Sequence, residues 1–283
     1  MSDRDQKKIP GCNRCYLCGS DDLKQVAMLK EKPKAETDFG IACDEYIRQV
    51  SVCNRCGVYN NFHSYEMERI YRKRYNEATY RKDLTQAFNR VMSLPESGSD
   101  NKQRVKRIVE FFKKHRAAAA EKAVLDVGSG LCVFLAELKK FGFRCYVIDP
   151  DPASIKHATE NAGVDGAYTG RFGDLKTEDR KYDLVTFNKV IEHVKDPAAF
   201  LANVKRYLAE SGIVYIEVPD GEAALKGGPL AEREEFYIEH YTVFTLSSLR
   251  YLSEAASLEI VEAKSILEPS GKYTLYAFCR MKK

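Results

Sequence analysis

Two carboxylates, each at the end of an apolar run, are the residues of this chain best suited to hold a polar ligand. Asp126 precedes a turn that contains Gly128 and Gly130, and Asp149 lies 23 residues after Asp126. Glycine lets a backbone turn sharply and approach a bound molecule closely. A carboxylate about 20 residues beyond such a turn suits the two hydroxyls of a ribose. The pattern therefore predicts a nucleoside-binding site where two parallel strands end.

The residue at the start of the following helix distinguishes between classes of nucleotide. A dinucleotide site normally has a third glycine there to seat a pyrophosphate, but this chain has Cys132. The position is therefore less open to a diphosphate and better matched to a nucleoside without phosphate, such as S-adenosylmethionine. The helix itself is predicted over 131–141, because apolar residues share one face and Gly142 follows as a helix-ending residue.

Four cysteines occur in two Cys-x-x-Cys-Gly motifs, a spacing typical of zinc ligands. Two thiolates of each motif can converge on one ion, and two motifs complete a four-sulfur site with no open position. Such a site is structural, so we predict a zinc ribbon that holds one ion. The predicted ligands are Cys15, Cys18, Cys53 and Cys56. Cys12, Cys43 and His63 are alternative ligands, and a redox-active cysteine pair is the alternative use of a motif.

Two histidines follow predicted strands at the same edge of the sheet and are candidates for proton transfer. His193 comes after the fourth predicted strand, and His240, followed by Tyr241, comes after the fifth. Histidine is the usual side chain for proton transfer near neutral pH. His193, His240 and Tyr241 are therefore our candidate catalytic residues, with a structural role as the alternative for His193.

Five motifs, in their order and spacing, resemble the core of class I S-adenosylmethionine-dependent methyltransferases. The resemblance covers residues 123–218 and departs from many members of the family at Cys132, where they have glycine. It implies a Rossmann-like α/β fold with a doubly wound, seven-stranded sheet. The motifs are VLDVGSG at 124–130, VIDPDP at 147–152, FGDL at 172–175, YDLVTFNKVIEHVKDP at 182–197 and SGIVYIEVPD at 211–220.

The same resemblance implies which residues contact S-adenosylmethionine. Those at 126–130 correspond to its methionine end, those at 149–150 to the ribose, those at 172–174 to the adenine and the one at 188 to the sulfonium. Packing is the alternative role of Phe172. The residues are Asp126, Gly128, Ser129, Gly130, Asp149, Pro150, Phe172, Gly173, Asp174 and Asn188.

The chain divides into three predicted segments. These are a zinc-ribbon domain over 1–63, a helical lid segment over 64–120 and an S-adenosylmethionine-binding catalytic domain over 121–283. This order resembles the zinc-ribbon-containing methyltransferases of sugars and related small molecules, in which a helical segment closes over the methyl donor. Tyr71 and Tyr75 are accordingly predicted to touch the donor or the acceptor, with packing of the lid as the alternative.

Charge and composition limit which acceptors and which cellular location are expected. The whole chain has a net charge of +4, and its first 120 residues hold 24 Lys and Arg against 16 Asp and Glu. This excess fits an anionic acceptor, such as a nucleotide-linked or phosphorylated sugar, and equally a solvated helical surface. No apolar run approaches the ~20 residues of a membrane span, and the first residues lack an apolar signal core. A soluble, cytoplasmic protein is expected.

Three functional hypotheses follow. The leading one is methylation, at oxygen, nitrogen or carbon, of a sugar, a nucleotide-linked sugar or a precursor of a surface polysaccharide. The alternative is an RNA methyltransferase whose zinc ribbon and basic helices hold the phosphate backbone. A third is a non-catalytic adaptor with a degenerate fold, against which the intact Asp126, Gly128, Gly130 and Asp149 argue.

Overall fold

Two β-sheets organise the parts of the chain that the computed structural model describes. Those parts are residues 14–42, 45–65, 84–115, 122–175 and 180–282. One sheet has four strands and the other has seven. Helices cover the larger sheet on both faces.

The smaller sheet is antiparallel and contains both cysteine motifs at its margins. Three strands come from the N-terminal segment: β1 (Leu23–Leu29), β2 (Arg48–Cys53) and β3 (Tyr59–Phe62). The fourth strand, β9 (Thr242–Val243), comes from far along the chain and pairs with β3. The order is β1-β2-β3-β9, so the ribbon shares a sheet with the catalytic part of the protein.

The larger sheet has the seven strands and the doubly wound order that the sequence predicts. Its strands are β4 (Lys122–Val127), β5 (Phe143–Asp149), β6 (Gly166–Thr169), β7 (Tyr182–Asn188), β8 (Leu208–Pro219), β10 (Leu258–Leu267) and β11 (Tyr273–Met281). They lie in the order β10-β11-β8-β7-β4-β5-β6, parallel except where β11 joins its two neighbours. The strand order reverses between β4 and β7, which is where doubly wound sheets bind their ligands.

Seven α-helices accompany these strands in the described ranges. They are α1 (Leu84–Met92), α2 (Asp100–His115), α3 (Val133–Lys139), α4 (Pro152–His157), α5 (Pro197–Ala202), α6 (Gly221–Gly227) and α7 (Leu246–Ala255). Helices α1, α2 and α3 pack on one face of the large sheet, and α5 and α7 pack on the other. Within these ranges, no helix has the length and apolar character needed to cross a membrane.

Helix α2 is joined to the large sheet by both apolar and ionic contacts. The ring of Phe111 stacks on that of Phe278, with centroids 3.9 Å apart. Arg104 donates from Nε to the buried carboxylate of Glu217 at 2.8 Å, and Arg107 pairs with the same carboxylate at 2.6 Å. Burial alone would raise the pKa of Glu217, but the two guanidinium groups lower it to about 2. The helix is therefore fixed to the middle of the sheet.

Candidate functional site

The turn after β4 brings the backbone close to the neighbouring loop. Gly128 and Gly130 have φ of +69° and +52°, a left-handed conformation that glycine adopts without strain. A Cβ on Gly128 would lie 2.9 Å from Cγ2 of Val190, so space as well as conformation requires glycine there. Cys132 is also left-handed, with φ of +55°, and is buried at the start of α3.

Asp126 lies buried at the end of β4 and connects three neighbouring segments. Its carboxylate accepts hydrogen bonds from Oγ1 of Thr186 at 2.6 Å, from Nδ2 of Asn188 at 2.8 Å and from the hydroxyl of Ser129. Burial raises its pKa to about 6, against these hydrogen bonds. Asp126 thus orients Asn188 and Ser129, while the Oδ1 atom of Asn188 has no partner in the described part of the chain. That oxygen is a hydrogen-bond acceptor that the described residues leave unused.

Asp149 ends the adjacent strand β5 beside the glycine turn. Its Oδ1 accepts a hydrogen bond from the backbone N–H of Asp151 at 2.8 Å, and the N–H of Gly130 also interacts with its carboxylate. Burial raises its pKa to about 6. Pro150 is exposed and follows it directly. The two predicted ligand-binding carboxylates therefore lie at the ends of paired strands, as the sequence suggests.

The residues predicted to flank adenine occupy the turn after β6. The ring of Phe172 is buried, with its centroid 5.1 Å from that of Phe187 and 4.9 Å from that of Tyr207. These surroundings favour its packing role, and its contact with adenine stays a prediction. Gly173 has φ of +103° and Asp174 is exposed, so the turn presents its backbone and a carboxylate outwards.

The two candidate histidines lie side by side, in the loops that follow strand β7 and helix α6. Their ring centroids are 4.8 Å apart. Nδ1 of His193 lies 2.9 Å from the carbonyl oxygen of Glu239, and Nδ1 of His240 lies 2.8 Å from that of Glu235. Because a carbonyl only accepts, each ring carries its proton on Nδ1. Burial lowers the pKa of His193 to about 4 and that of His240 well below its usual value, so both rings are neutral at pH 7.

The glutamates directly before these histidines have different surroundings: Glu192 completes an acid–base cluster with both rings, whereas the carboxyl of Glu239 interacts with Glu36 and Arg48. Glu192 is fully buried, and neither of its carboxylate oxygens has a hydrogen-bond partner among the described residues. Burial raises the pKa of Glu192, and likewise that of Glu239, to about 7. Neither glutamate is predicted from the sequence as a site residue, although each adjoins a predicted histidine. Their buried positions depend on the tertiary fold, since glutamate is ordinarily exposed.

Lys189 supplies the positive charge of this cluster. It has φ of +58°, donates from Nζ to Oγ1 of Thr274 at 2.7 Å and interacts electrostatically with Glu192. Glu192, His193 and His240 each offer a ligand atom within 4.8 Å of the others, a spacing that also suits a metal ion. Burial lowers the pKa of Lys189, against the carboxylates of Glu192 and Glu217. A proton-transfer role for this group stays a prediction.

Tyr241 turns towards the ribbon and packs there. Its ring is buried and stacks on that of His63 at 5.4 Å, and Lys195 lies over it at 5.2 Å. A catalytic role for Tyr241 stays a prediction. His63 is buried in this stack between Tyr65 and Tyr241, and it is absent from the cysteine cluster described next.

The four predicted zinc ligands lie together between the two cysteine turns. All four sulfur atoms are within 4.8 Å of one another, and Cys15–Cys56 and Cys18–Cys53 each have sulfurs 3.6 Å apart. Sulfurs 2.3 Å from one tetrahedral ion would lie about 3.8 Å apart, so the arrangement fits zinc. Each turn is closed by a left-handed glycine, with φ of +69° at Gly19 and +78° at Gly57. A Cβ on Gly57 would lie 2.7 Å from Oγ of Ser247, a hydroxyl that would have to rotate away.

Four residues singled out from the sequence lie outside the described ranges. They are the two tyrosines of the predicted lid and two of the alternative zinc ligands: Tyr71, Tyr75, Cys12 and Cys43. Their predicted roles stay predictions.

Comparison of the sequence with known proteins gives matches along most of the chain. A family model described as a methyltransferase domain matches residues 98–263. The chain is 22% identical over 274 residues to C-methyltransferase NovU of Streptomyces niveus. The aligned region covers 94% of this chain and 60% of NovU. It is 30% identical over 119 residues to a ubiquinone biosynthesis O-methyltransferase of Rickettsia typhi. That aligned region covers 41% of this chain and 48% of the Rickettsia protein. The chain thus spans about half to three fifths of the length of these relatives.

Solved structures show the same fold at low sequence identity. One is the 1,6-didemethyltoxoflavin-N1-methyltransferase of Burkholderia thailandensis with bound 1,6-didemethyltoxoflavin and S-adenosylhomocysteine. Its TM-score is 0.53 at 17% identity, covering 88% of this chain and all of that chain. Another is the magnesium protoporphyrin IX methyltransferase of Synechocystis with bound S-adenosylhomocysteine. Its TM-score is 0.57 at 14% identity, covering 76% of this chain and all of that chain.

Proposed function

Because this chain belongs to the methyltransferase-domain family, we propose that it transfers a methyl group from S-adenosylmethionine to a small-molecule acceptor. The observation that carries the proposal is the short segment 188–193. At its start Asn188 is bonded to Asp126 in the nucleoside site, and at its end His193 lies against His240 in the acid–base cluster. One segment thus connects the nucleoside site and the acid–base cluster, which a direct methyl transfer must align.

The donor side of the site offers the groups that a nucleoside with an amino-acid tail requires. When bound, S-adenosylmethionine supplies a methyl group on a positively charged sulfur. The carboxylate of Asp149 would accept from the ribose hydroxyls, and Oδ1 of Asn188 would accept from the amino group of the methionine end. The turn at Gly128 lets the backbone pass close to the ligand, with Val190 filling the space behind it.

The acceptor side favours substrates that lose a proton during transfer. Amines need little help, whereas a hydroxyl or a carbon beside a carbonyl needs a positioned base. His240 is neutral and protonated on Nδ1, so its Nε2 atom carries the lone pair that accepts a proton. Glu192, which lies with both histidines and has a pKa raised to about 7, can take up that proton near neutral pH. Methylation at oxygen or carbon therefore fits the site better than methylation at nitrogen.

A sugar or a nucleotide-linked sugar is the acceptor class that we propose. Support comes from the order of ribbon, helical segment and catalytic domain. The similarity to C-methyltransferase NovU across 94% of this chain supports carbon as the methylated atom. The four-cysteine cluster would hold one zinc ion as part of the scaffold, because all four ligand positions are filled by sulfur.

The alternative of an RNA substrate loses support from helix α2. Arg104 and Arg107 contribute to the positive charge of the first 120 residues, but both are paired with Glu217 inside the protein. Paired and buried guanidinium groups cannot neutralise phosphates. The basic character of this segment is thus partly structural.

The test is transfer of a labelled methyl group from S-adenosylmethionine into a size-fractionated cell extract. Label in the small-metabolite fraction, absent with the Asp149→Ala variant, is the expected result. Label in RNA would replace the small-molecule proposal with the RNA alternative. No label with any fraction, together with no binding of S-adenosylhomocysteine, would leave only a non-catalytic role.

A further inference from the structure

The loop that carries His240 is fastened at one end to the zinc ribbon. We name residues 234–241 the histidine loop. Strand β9 follows it directly and pairs with β3, with Asn60 opposite Thr242. The N–H of Asn61 also donates to the carbonyl oxygen of Tyr241 at 2.9 Å. The C-terminal end of the histidine loop is therefore an edge of the ribbon's own sheet.

A buried ion pair of the ribbon holds the middle of the same loop. Nη2 of Arg48 lies 3.1 Å from Oε1 of Glu36, and both side chains are completely buried. The same Oε1 accepts a hydrogen bond from the N–H of Ile238 at 2.8 Å, and Nη1 of Arg48 donates to the carbonyl oxygen of Phe236. Asn61 adds a bond from Nδ2 to the carbonyl oxygen of Tyr237 at 3.1 Å. Three consecutive residues of the loop are thus bonded through their main chain to the ribbon.

These anchored residues lie between the two carbonyl groups that orient the histidine rings. Glu235, one residue before them, accepts from Nδ1 of His240, and Glu239, one residue after them, accepts from Nδ1 of His193. The N–H of His240 also donates to the carbonyl oxygen of Tyr237. Any displacement of the main chain at 236–238 would therefore change the orientation of both rings.

Stability alone does not account for the ion pair. Removing two charges from water costs several kcal/mol per ion, and well-packed apolar residues in place of a buried pair are often as stable. A pair that also bonds two main-chain groups of a distant loop has a further effect, because its geometry fixes where that loop lies. Tyr46 reinforces the pair by donating from its hydroxyl to Glu36 at 2.6 Å.

We propose that Arg48 is a positioning residue, through which the zinc ribbon sets the orientation of His240 and His193. Arg48 acts with Glu36 on the main chain of the histidine loop and does not itself contact a reacting group. Only the naming of this histidine pair as the acceptor-side base rests on the proposed function. The structural coupling between the ribbon and the two rings does not depend on it.

The test compares imidazole nitrogen resonances in the full-length, zinc-loaded protein carrying ¹⁵N-labelled histidine. The chain has five histidines, so replacing each with Gln in turn assigns the signals. Arg48→Lys keeps the positive charge beside Glu36 but lacks the fork that also reaches Phe236. We expect the resonances of His240 and His193 to shift, and those of His115 and His157 to stay in place. Asn54→Ala, which removes a surface bond to Asp22 in the same ribbon, should move none of them.

A second variant and a second readout keep the test decisive. Should Arg48→Lys lose the fold, shown by lost binding of S-adenosylhomocysteine, Glu36→Gln carries the comparison, since its amide oxygen can still accept from Ile238. In the labelled-extract assay we expect the Arg48→Lys rate to fall ~10- to 100-fold, with the Kd of S-adenosylhomocysteine within about twofold. Unchanged His240 and His193 signals in both variants, with only a lower Tm, would overturn the inference. A wild-type protein that transfers no methyl group would overturn the proposed function alone, because the resonances are read without an acceptor.

Discussion

His193 and His240 lie with their rings 4.8 Å apart, and each donates its Nδ1–H to a carbonyl of one loop. The two rings therefore share a tautomer that is set by the main chain. Burial keeps both neutral at pH 7. A pair held in this way can accept a proton without first losing one, but the burial that keeps the rings neutral also makes each a weaker base than free imidazole.

Replacing His240 with Asn tests its role as the proton acceptor. The Asn amide can still donate to the carbonyl oxygen of Glu235, but it lacks the Nε2 lone pair. We expect the rate of methyl transfer to fall ~10²–10⁴-fold, the range for a lost general base. The binding of S-adenosylhomocysteine, measured by calorimetry, should be unchanged. His115→Asn, at an exposed position, is the matched control, and a normal rate in His240→Asn would remove the base assignment.

Replacing Asp149 with Ala tests the ribose assignment. Losing a charged hydrogen-bond acceptor should raise the Kd of S-adenosylhomocysteine about 10- to 100-fold. Asp183→Ala is the control. Its carboxylate accepts from the N–H of Ala123 at the N-terminal ends of the strands, away from Asp149. Equal affinities of the two variants would show that Asp149 does not bind the ribose.

Gly128→Ala tests the close approach of the turn to Val190. A left-handed alanine costs roughly 1–2 kcal/mol, and its Cβ would also lie 2.9 Å from the Val190 side chain. The comparison variant is Gly142→Ala, with φ of +79° and no atom within 4 Å of the added Cβ. We expect urea denaturation to show a larger loss of stability for Gly128→Ala, and only that variant to bind S-adenosylhomocysteine more weakly. Similar losses and unchanged binding would contradict this.

The raised pKa of Glu239 makes stability depend on pH. Burial raises that pKa from 4.5 in the unfolded chain to about 7 in the folded protein. Between these values the folded state keeps a proton that the unfolded state releases, so the unfolding free energy falls as the pH rises through this window. Glu239→Gln should therefore be more stable than the wild type by ~1–3 kcal/mol at pH 8, and the gain should vanish near pH 4.5.

The control for this pH dependence is an exposed carboxylate. Glu210→Gln removes an acid at the surface and should leave the profile of unfolding free energy against pH unchanged. A Glu239→Gln profile parallel to that of the wild type at every pH would show that the carboxyl is not desolvated in the folded protein.

Metal analysis tests the cysteine cluster. We expect one zinc ion per chain, and its removal by a chelator should lower the Tm, because metal binding in such sites is largely folding energy. Cys53→Ser should lose the zinc, whereas Cys145→Ala, at a buried thiol in strand β5, should keep it. Equal zinc content in both variants, or a Tm insensitive to chelation, would exclude a structural site.

Much of the fold follows from local patterns. Strands β4 and β5 are buried apolar runs that end in Asp126 and Asp149, and the turn glycines identify the strand–helix connection between them. The cysteine pairs are equally local, because each motif closes its own turn. Such features depend on neighbours within a few residues and can therefore be predicted without a structure.

Other parts of the site depend on contacts between distant segments. Strand β9 has two residues, too few to show any periodicity, and exists because β3 lies beside it. Glu192 is a charged residue buried without a hydrogen-bond partner in the described ranges, contrary to what its type suggests. The carboxylate of Asp126 accepts from three residues of the protein itself, and its contact with the methionine end stays a prediction. These outcomes arise from tertiary packing, which no local pattern reports.

The pairing of β3 with β9 bears on the order in which the protein folds. The paired residues are separated by roughly 180 positions, a contact that forms late because closing so long a loop is slow. The four cysteines of the cluster lie within the first 56 residues and can come together early, while the chain is still being synthesised. Until Thr242 and Val243 arrive, β3 presents an unpaired strand edge, the kind of surface that recruits other chains. A nascent or truncated ribbon would thus be the aggregation-prone form of this protein, and completion of the catalytic domain is what protects it.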